Sequence, residues 1–302
     1  MAMPAYVMAY AYTDLLQFAG PVQTWLRELM GWHVGDYWFP DVRSLGGAIV
    51  MLSLVLYPYV YLLSRAAFIE QSICVLEVSR SLGCGPYRSF FKVGLPLARP
   101  AIIAGLSLVM METLADYGTV QYFGVATFTT GIFRTWFGLG SSLAAAQLAA
   151  VLLMFIMLVV LLEAWSRRQA RYHHTSNRYS KLVQSPLQGW PRLLAMMACI
   201  LPVAFGFLIP AVQLSLWASQ TWTEVVDRRF FALIGHSIEL AAIASIVALV
   251  LALFIAYGKR LLSNALTRFV VRLLGLGYAI PGTVVAVGVL IPFAWLDNSI
   301  DT

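Results

Sequence analysis

Long apolar runs alternate along this chain with short charged segments from one end to the other. Runs over residues 4–19, 47–69, 98–123, 142–164, 191–217, 236–258 and 269–294 each approach the length, about 20 residues, at which a helix crosses the hydrocarbon core. They predict seven membrane helices and hence an all-α, polytopic membrane helix bundle. Trp165, Trp190, Trp217 and Tyr257 stand at the ends of runs, where a membrane interface favours rings with one polar edge.

Composition narrows the class. Of 302 residues, 60% are hydrophobic and 11% charged, whereas soluble chains carry roughly 25% charge. The formal net charge of +6 invites a nucleic-acid reading, but the placement of the charge argues against such a partner. Segments 65–99, 166–192 and 259–272, which lie on alternate sides of the runs, hold fifteen of the twenty Lys and Arg residues. That bias is the positive-inside pattern of a multi-pass inner membrane protein surrounded by lipid, and it puts the loop around residue 77 in the cytoplasm. The first basic residue is Arg27, so no positively charged leader precedes the first run. Cys74, Cys84 and Cys199 show no paired spacing, which indicates neither a disulfide framework nor a zinc site. His173-His174 has no Cys, Asp or Glu close by and reads as a solvated pair, so no metal site is expected. GxxxxGK[ST], HExxH and GxSxG are all absent, and with them the usual signatures of a nucleotide site, a metalloprotease and a serine esterase. No catalytic residue is indicated, and the chain reads as a transport subunit rather than an enzyme.

The charged segment Glu77 to Pro96, EVSRSLGCGPYRSFFKVGLP, carries the clearest chemistry. Residues 70–82 read as the cytoplasmic end of a span running into a short helix. Gly83 then permits a sharp bend, because a residue without Cβ tolerates positive φ. Pro86 suits the first position of a second short helix, Tyr87 to Lys92, in which Arg88 and Lys92 lie four apart beside Phe90-Phe91. Such a helix sets aromatics into a groove while its charges meet a polar rim. Leu95-Pro96 is expected to end it and to start the next span.

These residues follow the order Glu-Ala-Ala, three residues, Gly, nine residues, Ile, one residue, Leu-Pro. Glu77, Gly83 and Leu95-Pro96 match it, Val93 stands for Ile, and Val78 and Ser79 replace the two alanines. The chain thereby resembles a binding-protein-dependent ABC importer permease. Glu112 to Gly140, Gly277 to Leu290 and Pro4 to Gln23 look like the ferric-iron subgroup of these permeases. The resemblance implies a fused protein of two halves, each a six-helix permease unit. It implies a loop, 70–97, that couples through Glu77, Ser79, Gly83, Pro86, Arg88, Leu95 and Pro96 to a cytoplasmic ABC ATPase dimer. It further implies that ATP and Mg bind to that ATPase, that this chain binds no cofactor, and that a periplasmic iron-binding protein delivers the solute. Thiamine, sulfate and polyamine permeases share the architecture, so another small solute is an alternative. An ion-coupled secondary transporter is a second.

Two further readings concern layout. Pro4, Val7 and Ala9 can be laid over Pro281, Val284 and Ala286, at an offset of 277 residues. The chain then holds the end of a first half at 1–165, with four spans, and the start of a second at 191–302, with three. A basic linker at 166–190 joins them, and the whole reads as a fragment of a longer polypeptide. In the third run Glu112 and Asp116 are four apart, which predicts one helix face. Acids at that depth face a bundle interior or an aqueous path, so Glu112, Asp116 and Tyr117 are candidate path residues. The competing reading is that they hydrogen-bond neighbouring helices.

Overall fold

The computed structural model describes residues 3–70, 78–79, 81–169, 188–261, 264, 271 and 280–300. Every regular element among them is helical. Five helices are long and apolar enough to cross a membrane: Leu45–Ile69, Pro86–Ala115, Ser142–Ser166, Trp190–Val225 and Arg228–Leu261. The chain is thus an all-α polytopic membrane protein. The first expected span, 4–19, contains only the 12-residue helix α1, Ala5–Leu16, which rises about 18 Å. It is followed by α2, Pro21–Met30. The last, 269–294, falls partly outside the described residues, and its described part is α12, Gly282–Ile300.

The chain divides into two units. The first, Met1–Pro210 with Ile280–Thr302, is organised around α3, Leu45–Glu70, and α5, Leu95–Ala115, the most extensively packed pair. Their approach depends on a missing side chain: a Cβ on Gly105 would lie 2.7 Å from the Cα of Val60. Hydrophobic driving force is weak between helices in lipid, so close backbone contact at small residues supplies much of the association. Helix α8, Ser142–Gln169, packs against α5 and buries Ala145, Ala149, Leu152 and Ile156, a stripe at helical spacing. At the end near α1, Met8, Ala9, Tyr12, Ala48, Met51 and Phe123 form a buried cluster. The second unit, Ala211–Ala279, contains most of α10, Ile209–Val225, and all of α11, Arg228–Leu261. None of the residues of α11 is buried, as suits a helix apolar all round.

Proline shapes two of the long helices in the same way. Between α4, Pro86–Ser89, and α5 lies a π turn, Phe90–Gly94. Another, Ala204–Leu208, joins α9, Trp190–Val203, to α10. Each turn is followed by one aliphatic residue and then a proline, Leu95-Pro96 and Ile209-Pro210. Proline donates no hydrogen bond and crowds the carbonyl four residues earlier, and a wider turn relieves the crowding. In the second case the N–H of Ile209 bonds Ala204 O, five residues back, so Phe205 O loses its usual partner. The Tyr12 hydroxyl donates to that oxygen at 2.5 Å, which locks α1 to the bulge.

Both prolines of the internal echo begin helices. α1 starts directly after Pro4 and α12 directly after Pro281. The linker expected at 166–190 opens with the end of α8 and closes with the start of α9. Residues 170–187, including His173-His174, lie outside the described residues.

Candidate functional site

The segment from Val78 to Pro96 folds into an elbow whose bend is local chemistry. Glu77 and Arg80 lie outside the described residues, so the structure is read from Val78-Ser79 and from Ser81 onward. Gly83 adopts φ +79°, the left-handed region expected for it, with nothing within 4 Å of where a Cβ would project. Leu82 N–H donates to Val78 O at 3.0 Å and Cys84 N–H to Ser79 O at 3.1 Å, closing the first arm around the glycine. Gly85 is extended and Pro86 takes the first helical position, where its missing N–H has no helical partner to forgo.

Two contacts hold the arms together. Ser79 Oγ donates to Ser89 Oγ at 3.0 Å, and both side chains are buried. Phe90 stacks on Phe68 of α3 at 5.7 Å between centroids. The polar pair inside leaves Val78, Leu82, Tyr87 and Phe91 exposed, with Arg88 and Lys92 exposed beside them. An apolar patch rimmed by cations thus tops a braced bend. It is a surface suited to a partner's groove.

The expected end of the second short helix at Leu95-Pro96 is corrected. The helix does not stop there; it passes through the π turn straight into α5, giving one continuous 30-residue span, Pro86–Ala115. Pro96 falls in the first turn of α5, where proline is tolerated, and the preceding wide turn takes up its crowding. Elbow and span therefore form one continuous helical path, with the π turn at Phe90–Gly94 and Pro100 along its length.

At the far end of that path the expected geometry of the acids changes. The third span ends at Ala115, eight residues before the predicted boundary, and Asp116 is extended with ψ 131°. Glu112 lies on α5, but Asp116 does not share its helix face. The carboxylate of Asp116 instead caps the next short helix, α6, Gly118–Tyr122. It accepts from Thr119 Oγ1 at 3.0 Å and from Val120 N–H at 3.1 Å, while Thr129 Oγ1 donates to Asp116 O at 2.7 Å. A carboxylate also suits the positive end of a helix. Tyr117 packs its ring on Phe133 at 4.3 Å. Phe133 belongs to α7, Phe128–Phe133, which the run analysis does not contain. Thr127 and Thr130 bracket its start with reciprocal side-chain bonds, a signal readable as Thr-x-x-Thr. Glu112, Asp116 and Tyr117 are all half-buried. By the helical rise, the 21 residues of α5 separate them from the elbow by about 30 Å, one bilayer core.

Among the described residues no group of three His, Cys, Asp or Glu side chains could hold a metal ion. Cys84 and Cys199 are free thiols, and Cys74 lies outside the described residues.

The family described as "Binding-protein-dependent transport system inner membrane component" matches residues 1–171. The Fe(3+)-transport system permease protein FbpB 2 of Haemophilus influenzae is 26% identical over 82% of this chain and 50% of its own length. The molybdenum transport system permease protein ModB of Escherichia coli is 25% identical over 48% of this chain and 66% of its own length. ModB of Haemophilus influenzae is 25% identical over 41% of this chain and 51% of its own. The chain thus spans about half to two thirds of the length of these curated relatives.

Proposed function

The chain belongs to the binding-protein-dependent transport system inner membrane components, and from that premise we propose that it is a permease subunit of an ABC importer for ferric iron. As a member of that family with membrane-length helices, it is a multi-pass inner membrane protein and a transport subunit, not an enzyme. The observation that carries the coupling role is the braced elbow, bent at Gly83, tied by Ser79 and Ser89, and continuous with α5. In this reading a cytoplasmic ATPase dimer binds ATP and Mg and closes. It moves the patch of Leu82, Tyr87 and Phe91, and α5 carries the displacement across the bilayer. Access then alternates between periplasm and cytoplasm, driven by the differential binding of ATP and of a loaded periplasmic iron-binding protein. The two-half layout, 1–165 and 191–302 joined at 166–190, belongs to the same reading. Equivalent helix starts after Pro4 and Pro281 support it.

Ferric iron rests on FbpB 2, whose similarity extends over far more of this chain than that of either ModB protein. The ModB similarities favour a second reading, a permease of the same mechanism for another small solute. Cysteines placed at Leu82 and Tyr87 should crosslink to the ATPase in an assembled, transporting complex. ATP-dependent uptake of radioactive ferric iron into vesicles holding that complex and its binding protein completes the test. Crosslinking without iron uptake keeps the coupling role and removes the solute. Iron uptake that follows an ion gradient and ignores loss of the ATPase keeps the solute and removes the coupling role.

A further inference from the structure

Two long polar side chains of the segment between α1 and α3 turn inward, while Glu28, His33, Asp36, Asp41 and Arg43 are exposed. In α2, Gln23 and Arg27 lie one turn apart on the inner face. Gln23 is 6% exposed; its Nε2 donates to Leu16 O at 2.8 Å, and its Oε1 accepts from the Tyr37 hydroxyl at 2.7 Å. Arg27 donates to Phe18 O at 2.9 Å and to the Tyr37 hydroxyl at 3.0 Å, and its guanidinium lies over the Phe18 ring at 4.5 Å. Trp25 and Leu29, also one turn apart, each stand 61% exposed, and beyond Gly31 Trp38 is 85% exposed. Large apolar side chains thus share the outward face with Glu28, His33 and Asp36, a mixture that suits a head-group boundary.

What covers the outward face follows from its neighbours. Leu45, Ile49 and Val50 at the start of α3 are exposed and belong to a membrane-length helix that follows directly in the chain, so the segment 25–38 leads into the membrane. The distribution of Lys and Arg places the segment on the outer side of the membrane. Tryptophan is the side chain most at home at the head-group boundary, where its ring meets acyl chains and its N–H meets water.

We infer that α2 and the loop to Trp38 form an interfacial element, seated in the head-group and acyl boundary of the outer leaflet with Trp25, Leu29 and Trp38 as its anchors. It is not a water-exposed loop awaiting a periplasmic partner. It would hold the outer ends of α1 and α3 at fixed depth while α5 moves. The inference rests on the membrane location alone and on neither the solute nor the ATPase.

The test compares tryptophan emission of the full chain with that of Trp25→Phe and Trp38→Phe, each in phosphatidylcholine vesicles brominated near the head of the acyl chain. Iodide is added from the aqueous phase in parallel. The emission that each substitution removes should be quenched several-fold more by shallow bromine than by iodide. Dominant quenching by iodide would place these rings in water and overturn the inference. Protection from both quenchers would mean that protein covers them, and would overturn it equally. Trp38→Phe lies in a loop and gives the same readout should Trp25→Phe fail to insert.

Discussion

Replacing Gly83 with valine separates the bend of the elbow from everything else the elbow does. The backbone there sits at φ +79°, and no atom lies within 4 Å of the new Cβ, so the branch point itself meets no clash. What remains is the intrinsic penalty of an L-residue in the left-handed region, roughly 1–2 kcal/mol, with a β-branched residue at the upper end. Such a penalty lowers the ratio of bent to unbent conformer about 5–30-fold. If only the bent elbow docks, apparent affinity for the ATPase falls with the bent fraction, by at most the same factor. The assay titrates purified ATPase against the permease in proteoliposomes and reads both binding and stimulated ATP hydrolysis, with membrane insertion as the control. Gly83→Asn is the companion variant, since asparagine enters the left-handed region most easily among side-chain-bearing residues. It should stay close to wild type while valine loses most coupling. Equal coupling by valine and glycine would refute the hinge argument, and so would an equal loss with asparagine and valine.

Three other outcomes follow from the packing. Gly105→Ala drives a methyl into the backbone at Val60 and Tyr59, at 2.7 and 3.2 Å; destabilisation of about 1–3 kcal/mol is expected, read as a lower unfolding midpoint in detergent. An unchanged midpoint would mean that α3 and α5 are not held at close approach. Ser79→Ala strands the buried Ser89 hydroxyl and should destabilise the elbow by about 1–3 kcal/mol, whereas adding Ser89→Ala should restore part of the loss. A double variant as poor as the single one would show that the pair is not the brace. Asp116→Ala removes the cap of α6 and should lower stability by about 1 kcal/mol, while Asp116→Asn keeps an accepting oxygen and should preserve ATP-driven uptake. Uptake abolished by asparagine, with stability intact, would mark a titrating carboxylate and revive an ion-coupled mechanism.

The different fates of the two candidate clusters show where sequence reasoning stops. The bend at Gly83 and the helix start at Pro86 were legible because both depend on the backbone freedom of single residues, which no distant contact alters. Asp116 was misplaced because a run of apolar residues does not register one extended residue. Thr119, Val120 and Thr129 draw the carboxyl and carbonyl of Asp116 into bonds that a continued helix could not make. Similarly, Leu95-Pro96 was read as a stop, since local chemistry shows that proline disturbs a helix but not how the disturbance is absorbed. The wide turn at Phe90–Gly94 absorbs it, with Phe68 stacked against Phe90.

Membrane class and the bend at Gly83 were legible in the chain alone, because the first follows from the transfer of side chains between water and hydrocarbon and the second from the dihedral range of one residue. Pairing was decided only in three dimensions. Ser79 with Ser89, Tyr12 with the freed carbonyl of Phe205, and Gly105 against the backbone at Val60 each join positions whose meeting depends on how helices cross. The inward turn of Gln23 and Arg27 belongs with them. The pattern of an amphipathic helix shows that it has two faces, but the surrounding solvent and neighbours determine which one points out.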